Sequence, residues 1–277
     1  MSSVYEIVTE RIVRSLEDGV VPWRKTWKTG LPQNFVSGKV YRGVNLFLLG
    51  LLDFESPYWL TFRQCRELGG NVEKGAKGVP VIFWKPLSID TGEKDDAGKQ
   101  ITKKTSILRY YTVFNLAQTT GLKAPLPDGP AQKILGCEQV IEGMPDKPTI
   151  KNHLGGAHYN PSLDEILLPD PKRFDSMQHY YSTLYHEVVH STGHGKRLGR
   201  KGVTDPIHFG SEKYCLEELI AETGAAILCN LTGISAETEE NNHAYISGWI
   251  QKIKADRKII LTAASQAQKA VDFICPG

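Results

Sequence analysis

The sequence predicts an α+β protein in two parts, and three observations carry that prediction. Helix-period apolar patterns open and close the chain, runs rich in β-branched and aromatic residues lie in its first half, and the stretch GLKAPLPDGP at 121–130 packs three prolines and two glycines into ten residues. At 277 residues the chain is long enough for two ordinary domains. The proline-rich stretch sets the expected division at 1–130 and 131–277.

The elements follow in order. Residues 4–18 read as a helix, because Val4, Ile7, Val8, Ile12 and Leu16 recur at helical spacing and Gly19 can end it. A loop-rich stretch leads to a short apolar helix at 45–52, and TFRQCRELGG is another short helix stopped by glycine. VPVIFWKP and SILRYYTVFNLAQ read as strands. The polar run between them, LSIDTGEKDDAGKQITKK, reads as an exposed hairpin tip or mobile loop. After the linker, 157–160 and 165–168 form a hairpin around a turn at 161–164. The strongest helix covers 175–193, with Asp175 as its cap and Gln178 three residues on, as in a capping box. SEKYCLEELIAETGAAILCNLTG is a second long apolar helix ending near Gly233, and two further helical stretches close the chain.

Composition excludes several classes. No apolar run reaches the ~18 residues of a membrane span, and the acids in MSSVYEIVTERIVRSLEDG argue against a signal peptide. Five scattered cysteines without a C-x-x-C pair point to buried thiols in a reducing compartment, hence the cytoplasm. The net charge of +2 hides an asymmetry: up to Lys133 there are 19 Lys/Arg against 13 Asp/Glu, and after it 14 against 18.

Within the second half, YHEVVHSTGH sets His186 and His190 four residues apart with Glu187 after the first. On a helix such residues share one face, with Cβ atoms ~5–6 Å apart, so two imidazoles can converge on one ion. In zinc hydrolases the glutamate of this motif is the general base. A catalytic zinc takes three protein ligands and keeps one position open. The pattern H-E-x-x-H-x-x-G-x-x-H fails here, because position 196 is Lys196, and His194 follows Gly193, where the helix is expected to end. The third ligand is therefore sought in EELIAE. Glu218, Ala221 and Glu222 give E-x-x-A-E, which resembles the E-x-x-A-D/E of metallopeptidases of the glutamate-ligand type; that likeness implies Glu218 as ligand and Glu222 supporting a ligand histidine from behind, and Glu217 is expected to be solvated. The competing arrangement, with Glu222 as ligand, stays open. Zn²⁺ is the expected ion, although Mn²⁺ or Co²⁺ also suits two imidazoles and a carboxylate. DEILLPD is expected to be an edge strand that pairs with substrate backbone.

From Gly19 to Leu52 the chain carries five cations and no acid. Arg24, Lys25, Lys28, Lys39 and Arg42 are candidate phosphate contacts, and Trp27 and Tyr41 candidate base-stacking residues on single-stranded DNA. The plain alternative makes the aromatics core residues and the cations solvated.

These motifs carry a resemblance. LEDGVVPWRKTW, YRGVN, WLTFRQCRELGGNVEKGAKG and VFNLAQTTGL resemble the ArdC-type antirestriction proteins of conjugative plasmids and phages, and are similar to the N-terminal part of certain plasmid primases. AHYNPSLDEILLP, YHEVVHSTGHGKRLGR and EELIAETGAAIL resemble the zincin-like domain that follows in that family. The resemblance implies a single-stranded-DNA-binding domain fused to a zincin-like, gluzincin-type metallopeptidase domain that protects incoming DNA from host restriction. It carries over His186, Glu187, His190 and the EELIAE acids; Ser191 departs from the tryptophan that relatives often carry. Two rivals remain: a protease whose main work is cleaving DNA-bound proteins, and a DNA-binding protein with a purely structural metal site.

Overall fold

The computed structural model describes residues 3–276 apart from 25–29, 53, 55, 95–99, 125–135, 206–210 and 235–242. The chain opens with helix α1 (Val4–Glu17), where Ser3 and Glu6 form a reciprocal cap, and Val8, Ile12, Val13 and Leu16 are buried. Gly19 ends it at φ +78°, a left-handed conformation that glycine adopts without strain. There follow β1 (Gln33–Asn34), α2 (Val44–Gly50), β2 (Tyr58–Thr61), α3 (Phe62–Glu67), β3 (Asn71–Val72), β4 (Val79–Lys94), β5 (Gln100–Asn115) and β6 (Thr119–Thr120). Four of these strands form a sheet in the order β1-β2-β5-β4, with β3 and β6 paired separately.

The polar run expected as a tip or loop is mostly strand. The ladder continues from Leu87↔Thr105 through Asp90↔Thr102 to Lys94↔Gln100, so only 95–99, outside the described residues, is left for the tip. Its β-branched residues Ile89, Ile101 and Thr102 favour extended backbone, which polarity alone does not reveal. The greater part of the expected linker likewise lies outside the described residues.

The second half contains α4 (Cys137–Glu142), β7 (Thr149–Asn152), β8 (His158–Asn160), β9 (Glu165–Leu168), α5 (Met177–Ser191), α6 (Lys201–Thr204), α7 (Glu212–Leu231), α8 (His243–Ala255) and α9 (Ile259–Ile274). The expected hairpin forms between β8 and β9. Its turn is fixed by Asp164 at φ +53°, whose carboxylate takes a bidentate pair from the buried Arg197 and a bond from Tyr159 Oη. Asp175 does not cap α5; Ser176 does, its Oγ accepting the His179 N–H at 3.0 Å. The helix starts one residue later than the sequence pattern suggested, and Ser176 is the extended residue whose hydroxyl reaches the third N–H.

The expectation that DEILLPD is an edge strand is wrong. The three-stranded sheet runs β7-β9-β8, so β9 is central, parallel to β7 and antiparallel to β8. Burial of Ile166 and Leu168 fits that place, and β8 is the edge strand on the side of the cavity described below.

The larger apolar core runs from Val8 on α1 to Ile274 on α9, taking in Trp23, Phe47, Trp59, Tyr185, Val188 and Leu219, and a small second cluster gathers Leu60, Cys65 and Leu116. All five cysteines are free thiols. Among the described residues no helix is long and apolar enough to cross a membrane.

Candidate metal centre

Helices α5 and α7 lie in direct contact because Gly224 has no side chain: a Cβ there would meet Val189 Cγ2 at 2.7 Å. This close approach brings the polar face of α5 against the acids of α7. His186 Nε2 and His190 Nε2 lie 3.1 Å apart, as helical spacing requires. Glu218 completes the triangle, with Oε2 3.6 Å from His186 Nε2 and Oε1 3.5 Å from His190 Nε2. All three ligand-type atoms fall within 4.8 Å of one another.

The donor set fits a divalent cation. Ligands ~2.0–2.1 Å from a tetrahedral ion stand about 3.3 Å from each other, close to the 3.1, 3.5 and 3.6 Å found here. Three protein donors leave a fourth position, and the three open onto a cavity of about 630 Å³ that Glu187, His158, Tyr159 and Tyr214 also line.

Electrostatics follow from the crowding. Burial pushes His186 down, but the Glu218 hydrogen bond and the charges of Glu187, Glu218 and Glu222 outweigh it and raise the imidazole above its ordinary range. Burial alone would raise Glu218; the hydrogen bond from His186 and the nearby imidazoles hold it below the usual carboxylate range instead.

Glu217 is not solvated, contrary to the sequence expectation. It is 4 % exposed and its Oε1 lies 3.3 Å from His190 Nδ1. Arg200, 7 % exposed, donates to both of its oxygens, from Nε at 3.0 Å and Nη2 at 2.6 Å. The same guanidinium donates to Thr192 Oγ1 and to the Val189 carbonyl on the last turn of α5. Gly202 leaves room for this pair, since a Cβ there would meet Glu217 Oε2 at 2.8 Å. Burial pushes Glu217 up, yet the bonds from His190 and Arg200 dominate and keep it low. The missed signal was the helix itself: α7 is apolar on nearly every side, so a charge between Leu216 and Leu219 requires a buried partner. Nothing local identified that partner as Arg200.

Glu222 accepts the Trp23 indole N–H at 2.9 Å, and its charge reaches His186. His194 lies with Lys196 beyond the end of α5, lining a cavity that adjoins the one at the donors and shares Pro161 and Asp205 with it. His179 stacks edge-on against Phe174. Tyr214, unnoticed in the sequence, hydrogen-bonds Glu218; desolvation and that carboxylate raise its phenol.

The basic stretch is divided. Lys25, Trp27 and Lys28 lie outside the described residues, as does the Arg24 side chain. Lys39 is exposed. Arg42 donates from Nη2 to both carboxylate oxygens of Asp272 on α9. Tyr41 corrects the expectation of a stacking residue: it is 8 % exposed, packed in the core, and burial lifts its phenol to about 12. A ring so placed has no face to offer a base. Trp23 and Phe47 are core residues, as the plain alternative held.

Comparison with known proteins adds the relationships. Residues 2–114 match the N-terminal domain of anti-restriction factor ArdC, and residues 141–266 match the zincin-like metallopeptidase family. A DNA primase TraC of Escherichia coli is 34 % identical over 98 % of this chain, which spans only 20 % of that primase; in a second TraC it spans 27 %. An uncharacterized protein of Sinorhizobium fredii is 32 % identical over 99 % of this chain and 92 % of its own length. Crystal structures of the antirestriction protein ArdC from plasmid R388 cover 99 % of this chain and 97 % of theirs. The metal-free form has a TM-score of 0.77 at 34 % identity, and the Mn(II)-bound form 0.76 at 33 %.

Proposed function

This chain belongs to the ArdC antirestriction family, and from that premise we propose that it binds single-stranded DNA and protects incoming plasmid or phage DNA from host restriction in the cytoplasm. We assign the DNA-binding role to residues 1–130 and a metallopeptidase centre to residues 131–277. One observation carries the second assignment: His186, His190 and Glu218, from two helices, direct their donor atoms at one point.

A divalent cation held there supplies Lewis acidity toward water and a peptide carbonyl. Zn²⁺ suits the donors, and the Mn(II)-bound relative supports Mn²⁺ as well. The chain's own residues do the rest. Glu217 accepts the His190 Nδ1–H, which leaves the Nε2 lone pair directed at the centre. Glu187 lines the cavity beside His186 and takes the proton of the attacking water. The β8 edge aligns an extended peptide along the cavity, with His158, Tyr159 and Tyr214 near its carbonyl. An open, 630 Å³ cavity at the donors favours this reading over a purely structural ion.

On the DNA side, Arg24, Lys25, Lys28, Lys39 and Arg42 are the phosphate contacts and Trp27 the stacking residue. Mobility shifts with a single-stranded oligonucleotide at graded salt test this. Replacing Arg24, Lys25 and Lys28 together with glutamine should flatten the log–log salt slope by about 2, at ~0.7 per phosphate contact. An unchanged slope removes that stretch from the contact surface.

A further inference from the structure

The edge strand β4 carries large aromatic residues that the core does not use. Trp84 is 56 % exposed and Phe83 40 %, with Phe83 tilted against Tyr111 at 5.6 Å between centroids. Beside them runs a groove of about 530 Å³, walled on one side by β4 and on the other by α9, with the start of α2 between. Its lining includes Phe83, Trp84 and Tyr5, and three cations, Arg42, Lys258 and Lys269; none of its lining residues is acidic. Arg42 is shared with Asp272, whereas Lys258 lies over the Tyr5 ring at 5.8 Å. The walls are pinned. The Asn45 side-chain amide bonds both the N–H and the C=O of Ile82 at 2.8 Å, which fixes α2 to β4. Gly43, at φ +58°, donates its N–H to Gln268 on α9 at 3.1 Å.

An exposed aromatic face beside Lys258 and Lys269, which form no ion pair among the described residues, in a preformed channel, is the chemistry that holds bases by their faces and a backbone by its phosphates. A duplex hides its base faces, so the occupant is single-stranded. We propose that this groove between β4 and α9 is a binding site for single-stranded nucleic acid, with Trp84 as the stacking platform and Lys258 and Lys269 as phosphate contacts. The proposal rests on the single-strand-binding reading above and extends it, because half of the groove belongs to the acidic part of the chain. A strand lying there bridges the two halves of the protein.

The test uses the full chain and a fluorescein-labelled oligothymidylate of about 20 nucleotides, followed by anisotropy across a salt series. The pair Lys258→Glu and Lys269→Glu should weaken binding at least about tenfold and flatten the salt slope by about 1.4. Trp84→Ala should weaken it roughly five- to hundredfold with the slope kept. All three side chains are exposed, and a thermal melt checks each variant. Photocrosslinking of the unaltered protein to a 4-thiothymidine strand, with adducts expected on the peptides carrying Trp84 and Lys258, gives an answer independent of folding. If the unaltered chain binds the strand but the variants match it and no adduct falls on those peptides, the groove proposal is overturned and the single-strand reading stands. If the unaltered chain does not bind, both fall.

Discussion

Arg200→Ala is expected to destabilise the folded chain by about 3–5 kcal/mol and to weaken metal binding about 10–100-fold. Arg200 is nearly buried and spends its donors on both oxygens of Glu217, on Thr192 Oγ1 and on the Val189 carbonyl. Removing it leaves the Glu217 carboxylate inside the protein against the His190 ring alone among the ligands. A buried charge that has lost its counter-ion costs far more than an exposed pair contributes, which is why the effect should be large. The His190 ring then loses the fixed acceptor that sets its tautomer and orientation. Arg200→Lys keeps the charge but loses the fork, and should recover part of the stability and less of the metal affinity. Denaturant melts combined with zinc titration check both halves. A variant with unchanged metal affinity would show that Glu217 holds His190 in place without this ion pair.

Glu187→Gln is expected to lower any peptide turnover by about 10²–10⁴ while leaving metal stoichiometry and oligonucleotide affinity as they were. The amide has the shape of the carboxylate and suits a 7 % exposed position, but it cannot accept the proton. The variant also separates the two biological accounts. If protection of transferred DNA is lost with turnover, cleavage of a protein substrate is the function. If protection survives, binding to DNA is sufficient and the dedicated-protease account fails. Hydrolysis of an unfolded protein substrate and transfer efficiency into a restricting host are the two readouts.

What could be read from sequence divides by the range of the interaction. Helices α1, α5 and α7 were visible because apolar periodicity is a local property, and the juxtaposition of His186 with His190 follows from the same periodicity. The meeting with Glu218 depended on a motif, since nothing local says which helix packs on α5. The mistakes are non-local. β9 looked like an edge strand because its second neighbour, β7, is four polar-leaning residues that pair with it directly and in parallel although β8 lies between the two in sequence. Glu217 looked solvated because its partner Arg200 lies seventeen residues earlier, in a turn with no pattern of its own. Tyr41 looked available because burial of a ring among cations depends on packing against the rest of the core. Trp84 and Phe83 passed as ordinary strand residues because strand propensity says nothing about which face is covered.

X-ray absorption on the zinc-loaded chain tests the central claim most directly. The account predicts one ion per chain with two imidazole nitrogens and a carboxylate oxygen at about 2.0–2.2 Å, no sulfur, and an exchangeable fourth ligand. His190→Ala and Glu218→Ala should each abolish stoichiometric loading. Sulfur at about 2.3 Å, or a spectrum unchanged by either substitution, would contradict it.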